Sequence, residues 1–111
     1  MFICDIMELN EYQKESRKTK MYPEKLEGGI YYSTLGLCGE AGELANKVKK
    51  IARDNNFDKE GIKGELGDIL WYVASVAEEI GYSLDEIAAS NLEKLNKRKQ
   101  EGKISGNGDE R

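Results

Sequence analysis

Gly39-Glu40-Ala41-Gly42-Glu43-Leu44 and Glu65-Leu66-Gly67-Asp68-Ile69-Leu70 each set two carboxylates three residues apart inside an apolar pattern of helical period. Residues three apart share one face of an α-helix, so each segment points two oxygen ligands in one direction. Two such helices packed together gather Glu40, Glu43, Glu65 and Asp68 about one point. Four like charges at a helix interface repel one another and lose hydration, and a bound Mg²⁺ or Mn²⁺ is the natural compensation. An ordinary solvated face is the alternative, because 34% of the residues are charged and such pairs arise easily on exposed helices. Gly39 and Gly42 bracket the first pair and Gly64 and Gly67 the second. Each costs about 1 kcal/mol relative to Ala in a helix interior, a cost that close helix approach, or room for a metal and a bulky ligand, would offset.

Outward from these segments the chain reads as helical throughout, with a single proline, Pro23. A first helix is expected from about Asp5 to Lys18, with Asp5 as N-cap. Thr19 to Gly29, with Pro23 and Gly28-Gly29, reads as a connecting loop. A second helix follows from about Ile30 or Ser33 to Arg53 and stops at Asp54-Asn55-Asn56. Asp58 caps a third that ends at Ile80 before Gly81, and Ser83 with Glu86 forms a capping box for a fourth, from 84 to about 100. The expected core stripes are Leu37, Ala41, Leu44, Val48 and Ile51 on the second helix, and Ile62, Leu66, Ile69, Val73 and Ile80 on the third. Glu40 and Glu43, and Glu65, Asp68 and Tyr72, fall on their flanks. Residues 1–101 form the expected single domain, and the glycines at 102, 106 and 108 give residues 102–111 the composition of a flexible tail.

Composition narrows the function. The chain has 111 residues, a net charge of −4 and no histidine. An acidic chain lacks the basic excess that general nucleic-acid binding requires. The absence of histidine excludes a di-iron carboxylate bundle, which uses Glu-x-x-His pairs. Cys4 and Cys38 have no metal spacing and read as reduced thiols, Cys38 as a small core residue. No apolar run reaches membrane-spanning length, so a soluble, cytoplasmic protein is expected.

The two acidic segments resemble the MazG-like nucleoside triphosphate pyrophosphohydrolases, whose pattern is EExxE, a spacer, then ExxD. Gly39 stands where that pattern has its first glutamate, and 21 residues separate Glu43 from Glu65. The resemblance extends through Tyr31-Tyr32-Ser33-Thr34-Leu35-Gly36-Leu37 and Asn46-Lys47-Val48-Lys49-Lys50-Ile51-Ala52-Arg53-Asp54, covers roughly residues 12 to 111, and includes the Gly-rich ending. It implies an all-α bundle of about four helices with its core completed by dimerisation, as a homodimer or homotetramer. It also implies Mg²⁺-dependent cleavage of a nucleoside triphosphate to monophosphate and pyrophosphate, a house-cleaning activity on the nucleotide pool. Glu40, Glu43, Glu65 and Asp68 become the metal ligands, with Glu43 the first choice as general base.

Lys47 and Lys50 continue the acidic flank and are expected at the phosphates, or else serve as ordinary i,i+4 ion-pair partners. Tyr72, Asn91 and Lys94 match family positions near substrate. Arg111 is a candidate phosphate contact from the tail. Trp71 is expected to face away from the carboxylates, toward a packing or subunit interface. The alternatives are a phosphoribosyl-ATP pyrophosphohydrolase of the same superfamily and a nonenzymatic, cation-binding helical module.

Overall fold

The computed structural model describes residues 6–22 and 29–102. They form four helices: α1 (Leu9–Arg17), α2 (Ile30–Asp54), α3 (Lys59–Ile80) and α4 (Leu84–Gln100), with no strand among the described residues. None of these helices is long and apolar enough to cross a membrane. Asp5, Cys4, Pro23, Gly28 and the tail from Lys103 to Arg111 lie outside the described residues.

Local chemistry sets the helix ends. Asn55 closes α2 in the left-handed conformation, φ 50°, which asparagine tolerates. The Asp58 carboxylate then accepts the Gly61 N–H at 2.9 Å and starts α3. Gly81, φ 80°, ends α3 in a conformation that favours glycine. Ser83 and Glu86 make the expected reciprocal capping box, at 3.1 and 3.0 Å. Helix α1 begins later than expected, at Leu9 rather than near Asp5.

The short α1 has an unexpected task. Gln13, 6% exposed, accepts the Leu84 N–H at 2.7 Å and donates to the Tyr82 carbonyl at 3.0 Å. Asn10 accepts the Asp85 N–H at 2.9 Å. The first three N–H groups of α4, which have no partner inside their own helix, are therefore satisfied by Gln13, Asn10 and Ser83.

Helices α2 and α3 form an antiparallel hairpin, matched at Gly36 with Tyr72 and at Lys47 with Asp58. Its seam follows the expected stripes only in part, keeping Leu37, Leu44, Ile51, Ile62 and Ile69. On α2 the residues withdrawn from solvent include Ser33, Leu37, Glu40, Leu44, Lys47 and Ile51; on α3 they include Ile62, Glu65, Ile69, Tyr72 and Val76. Both series advance in alternating steps of three and four, the spacing of a coiled-coil seam. Ala41, Val48, Leu66 and Ile80, expected in the core, are exposed. The contact line is rotated toward the carboxylate flank, so that Glu40 and Glu65 occupy seam positions themselves.

Gly36 shows why the helices can approach: a Cβ there would overlap the Tyr72 ring. Gly39, Gly42, Gly64 and Gly67 do not serve this approach, because a Cβ on any of them meets nothing within 4 Å. Cys38, expected in the core, is also exposed. The apolar residues buried among those described are Tyr22, Ala74, Ala77 and Leu84, with Tyr12 and Val73 packed against the last three. Leu35 remains 70% exposed, and an outer apolar line on α2 and α3 stays uncovered by the four described helices.

Candidate metal centre

The rotated seam brings three of the four predicted carboxylates together. Glu40 from α2 and Glu65 and Asp68 from α3 each offer an oxygen, all within 4.8 Å of one another. Glu43, one turn beyond Glu40, is exposed and outside this group. Burial raises the Glu40 carboxyl above its ordinary pKa; the Asp68 charge, a hydrogen bond with Glu65, and the Glu65 and Glu43 charges push the same way. Glu40 therefore keeps its proton to a higher pH than an isolated carboxyl does. The donor set is all hard oxygen, of the kind that suits Mg²⁺ or Mn²⁺.

Beside the trio lies a cavity of about 330 Å³ lined by Thr19, Glu40, Asp68, Trp71 and Tyr72. Burial raises the Tyr72 hydroxyl above the usual phenol range, as do Tyr32, Glu40, Asp68 and Tyr22. It therefore stays protonated at neutral pH and able to donate. Tyr72 thus stands where it was expected, beside the carboxylates.

Trp71 does not face away from them. It is three residues after Asp68, about 60° round the helix, and shares the cavity wall with it. That spacing is a signal the sequence carried, whereas Thr19 arrives from the turn after α1 and has no such signal.

The remaining predicted contacts lie elsewhere. Lys47 pairs with Asp58 at 3.8 Å across the hairpin end, an ion pair between helices rather than the expected i,i+4 one. Lys50 is exposed on the last turns of α2, where the Arg53 hydrogen bond chiefly, and the Lys50 charge to a smaller extent, lower the Asp54 carboxyl. Asn91 and Lys94 line a different cavity, about 400 Å³, with Ile80, Tyr82 and Ile87. Arg111 lies outside the described residues. The α1–α3–α4 junction holds a larger cavity, about 550 Å³, whose Gln13, Asn10 and Ser83 are used as helix caps.

Sequence comparison gives the family. The profile of the MazG nucleotide pyrophosphohydrolase domain matches residues 32–102, from the start of α2 to the end of α4. The chain belongs to the MazG family. This MazG chain is 42% identical to the Gene 37 protein of Mycobacterium phage L5, over 95% of its own length and all of that protein's. It is 36% identical to the uncharacterized protein YvdC of Bacillus subtilis (strain 168), over 56% of this chain and 68% of YvdC. No solved structure matches it at a significant level. The MazG match contains all three clustered carboxylates as well as Trp71 and Tyr72. Thr19, on the same cavity, precedes it.

Proposed function

We propose that this MazG chain is a Mg²⁺-dependent nucleoside triphosphate pyrophosphohydrolase, releasing pyrophosphate and a nucleoside monophosphate, with Mn²⁺ an acceptable substitute. The observation that carries the reading is the carboxylate trio contributed by two helices of a MazG domain. Glu40, Glu65 and Asp68 would hold the divalent ion. Glu43, one turn away and exposed, adds a fourth carboxylate beside them. When bound, the ion supplies Lewis acidity toward phosphate oxygens and lowers the pKa of water.

The chain's own residues do the rest. The carboxylates repel a bare polyanion, so a triphosphate chain would be held there only with its charge neutralised. Tyr72 donates from the cavity wall to a phosphate or sugar oxygen. Glu43, exposed beside the trio, is the residue able to take a proton from the attacking water without surrendering a tightly held ligand position.

A second copy of the chain fits the uncovered surface. Leu35, Val48, Leu66 and Ile80 are at least half exposed, and the four open glycines leave backbone for another helix to approach. A homodimer, alone or paired into a tetramer, would bury them. The second copy is also the element able to bring Asn91 and Lys94 toward a nucleotide.

Chromatography of the products from a panel of nucleoside triphosphates, with phosphoribosyl-ATP as a separate arm, tests the activity. Monophosphate and pyrophosphate formed only with the metal are expected. Diphosphate and orthophosphate as initial products, or no turnover of any arm, would refute it.

A further inference from the structure

Trp71 is the chain's single tryptophan, and the end of α1 holds it by two groups. Its indole N–H donates to Thr19 Oγ1 at 2.8 Å. The Thr19 hydroxyl in turn donates to the Ser16 carbonyl at 2.8 Å. A hydroxyl has one proton to give, so Thr19 has no donor left for a ligand. The Arg17 guanidinium carbon lies 5.0 Å above the indole ring centroid and is tied to α3 by a 2.7 Å bond from Nη2 to Ser75 Oγ. Its Nη1 is buried without a hydrogen-bond partner, a loss that the electron-rich indole face offsets in part. Tyr72 and Tyr22 meet the same ring nearly edge-on, at centroid separations of 5.0 and 6.2 Å.

These contacts hold the indole by its N–H edge, by one face and by two nearly perpendicular rings, and the ring still lines the cavity beside Glu40 and Asp68. The cavity wall therefore combines the carboxylates of Glu40 and Asp68 with the rings of Trp71 and Tyr72. Phosphates belong at the carboxylates, where a divalent ion can bridge them. The aromatic wall suits the flat nucleoside, since every base has a π face.

We propose that Thr19 and Arg17 are positioning residues for Trp71, and that the ring they orient is the wall against which the nucleoside end of the substrate rests. The inference rests on the pyrophosphohydrolase reading. Neither residue reacts with substrate. Both act by holding the indole in one orientation, so that nucleotide binding does not have to order it.

Thr19 is exposed, and Thr19→Val is nearly isosteric, so the variant keeps the fold while losing both hydrogen bonds; circular dichroism and the melting temperature check this. Thr19→Ser keeps both bonds. With Mg²⁺ saturating, Thr19→Val is expected to raise KM about two- to tenfold, the net worth of one hydrogen bond, with a smaller effect on kcat. Its Trp71 emission is expected to shift and to quench less on addition of nucleoside monophosphate. Thr19→Ser is expected to restore KM and emission, and Arg17→Lys to change KM in the direction of Thr19→Val. An active wild type with unchanged KM in Thr19→Val, or a Thr19→Ser variant as impaired as Thr19→Val, overturns this inference alone. A wild type that releases no pyrophosphate overturns the underlying reading and this inference with it.

Discussion

Glu40→Gln should make the metal-free protein more stable while removing its response to divalent ions. Glu40 sits in the α2–α3 seam with oxygens of Glu65 and Asp68 within 4.8 Å. At that separation, two like charges in a water-like dielectric repel by about 0.9 kcal/mol, so neutralising Glu40 relieves about 1.7 kcal/mol over two pairs. Screening at physiological salt and the partly exposed setting reduce this to about 1 kcal/mol. In a domain near 100 residues, that raises Tm by about 4 °C. The side-chain shape is kept, and the amide can donate to either remaining carboxylate.

The gain should depend on pH. The folded chain keeps Glu40 protonated to a higher pH than the unfolded chain does. Its contribution to metal-free stability is therefore fully present below the ordinary carboxylate range and is lost as pH rises through the raised value. Wild type in a chelator should lose Tm across that window more steeply than Glu40→Gln. Mg²⁺ at a hundred times its Kd adds about 2.7 kcal/mol to a protein that binds it only when folded, and the variant should forfeit most of that. Thermal melts at fixed protein concentration, with chelator and with Mg²⁺, measure all three effects. A variant less stable than wild type in chelator, or equally stabilised by Mg²⁺, would refute the trio as an electrostatically strained cation site.

Asp68→Ala is expected to abolish pyrophosphate release while far-UV circular dichroism stays near wild type; retention of most activity at saturating Mg²⁺ would remove Asp68 from the ligand set. Gln13→Ala leaves the buried Leu84 N–H without its acceptor and should cost about 1–3 kcal/mol in urea unfolding, with Gln13→Glu recovering part of it. Gly36→Ala places a methyl against the Tyr72 ring; it should lower stability by about 1–3 kcal/mol and reduce activity, and a neutral effect would show that the ring is not held in place. Truncation after Gly102 is expected to weaken nucleotide affinity or turnover without lowering Tm, and unchanged kinetic constants would remove Arg111 from the substrate site.

How much of this protein the sequence determined is visible at particular residues. The boundaries of α3 and α4 follow from Asp58, Gly81 and the Ser83–Glu86 box, because caps and left-handed stops act within a few residues and need no distant partner. The pairing of Glu40 with Glu65 and Asp68 was also legible, since i,i+3 spacing on two helices confines carboxylates to two narrow faces. The resemblance to MazG-like proteins then pointed to the same residues.

What the tertiary structure decided was the rotation of α2 against α3. Periodicity marks an apolar face but not which edge of it meets the neighbour, and the hairpin turned Glu40 and Glu65 into the seam while leaving Ala41, Val48, Leu66 and Ile80 outside. The same rotation put Glu43 at the margin and tied Lys47 to Asp58. Contacts between segments far apart in the chain were likewise invisible to local pattern: Gln13 capping α4 across 71 residues, and Thr19 holding Trp71 across 52. A hydrogen bond between distant residues depends on how whole helices dock, and nothing in the sequence near either partner encodes that geometry.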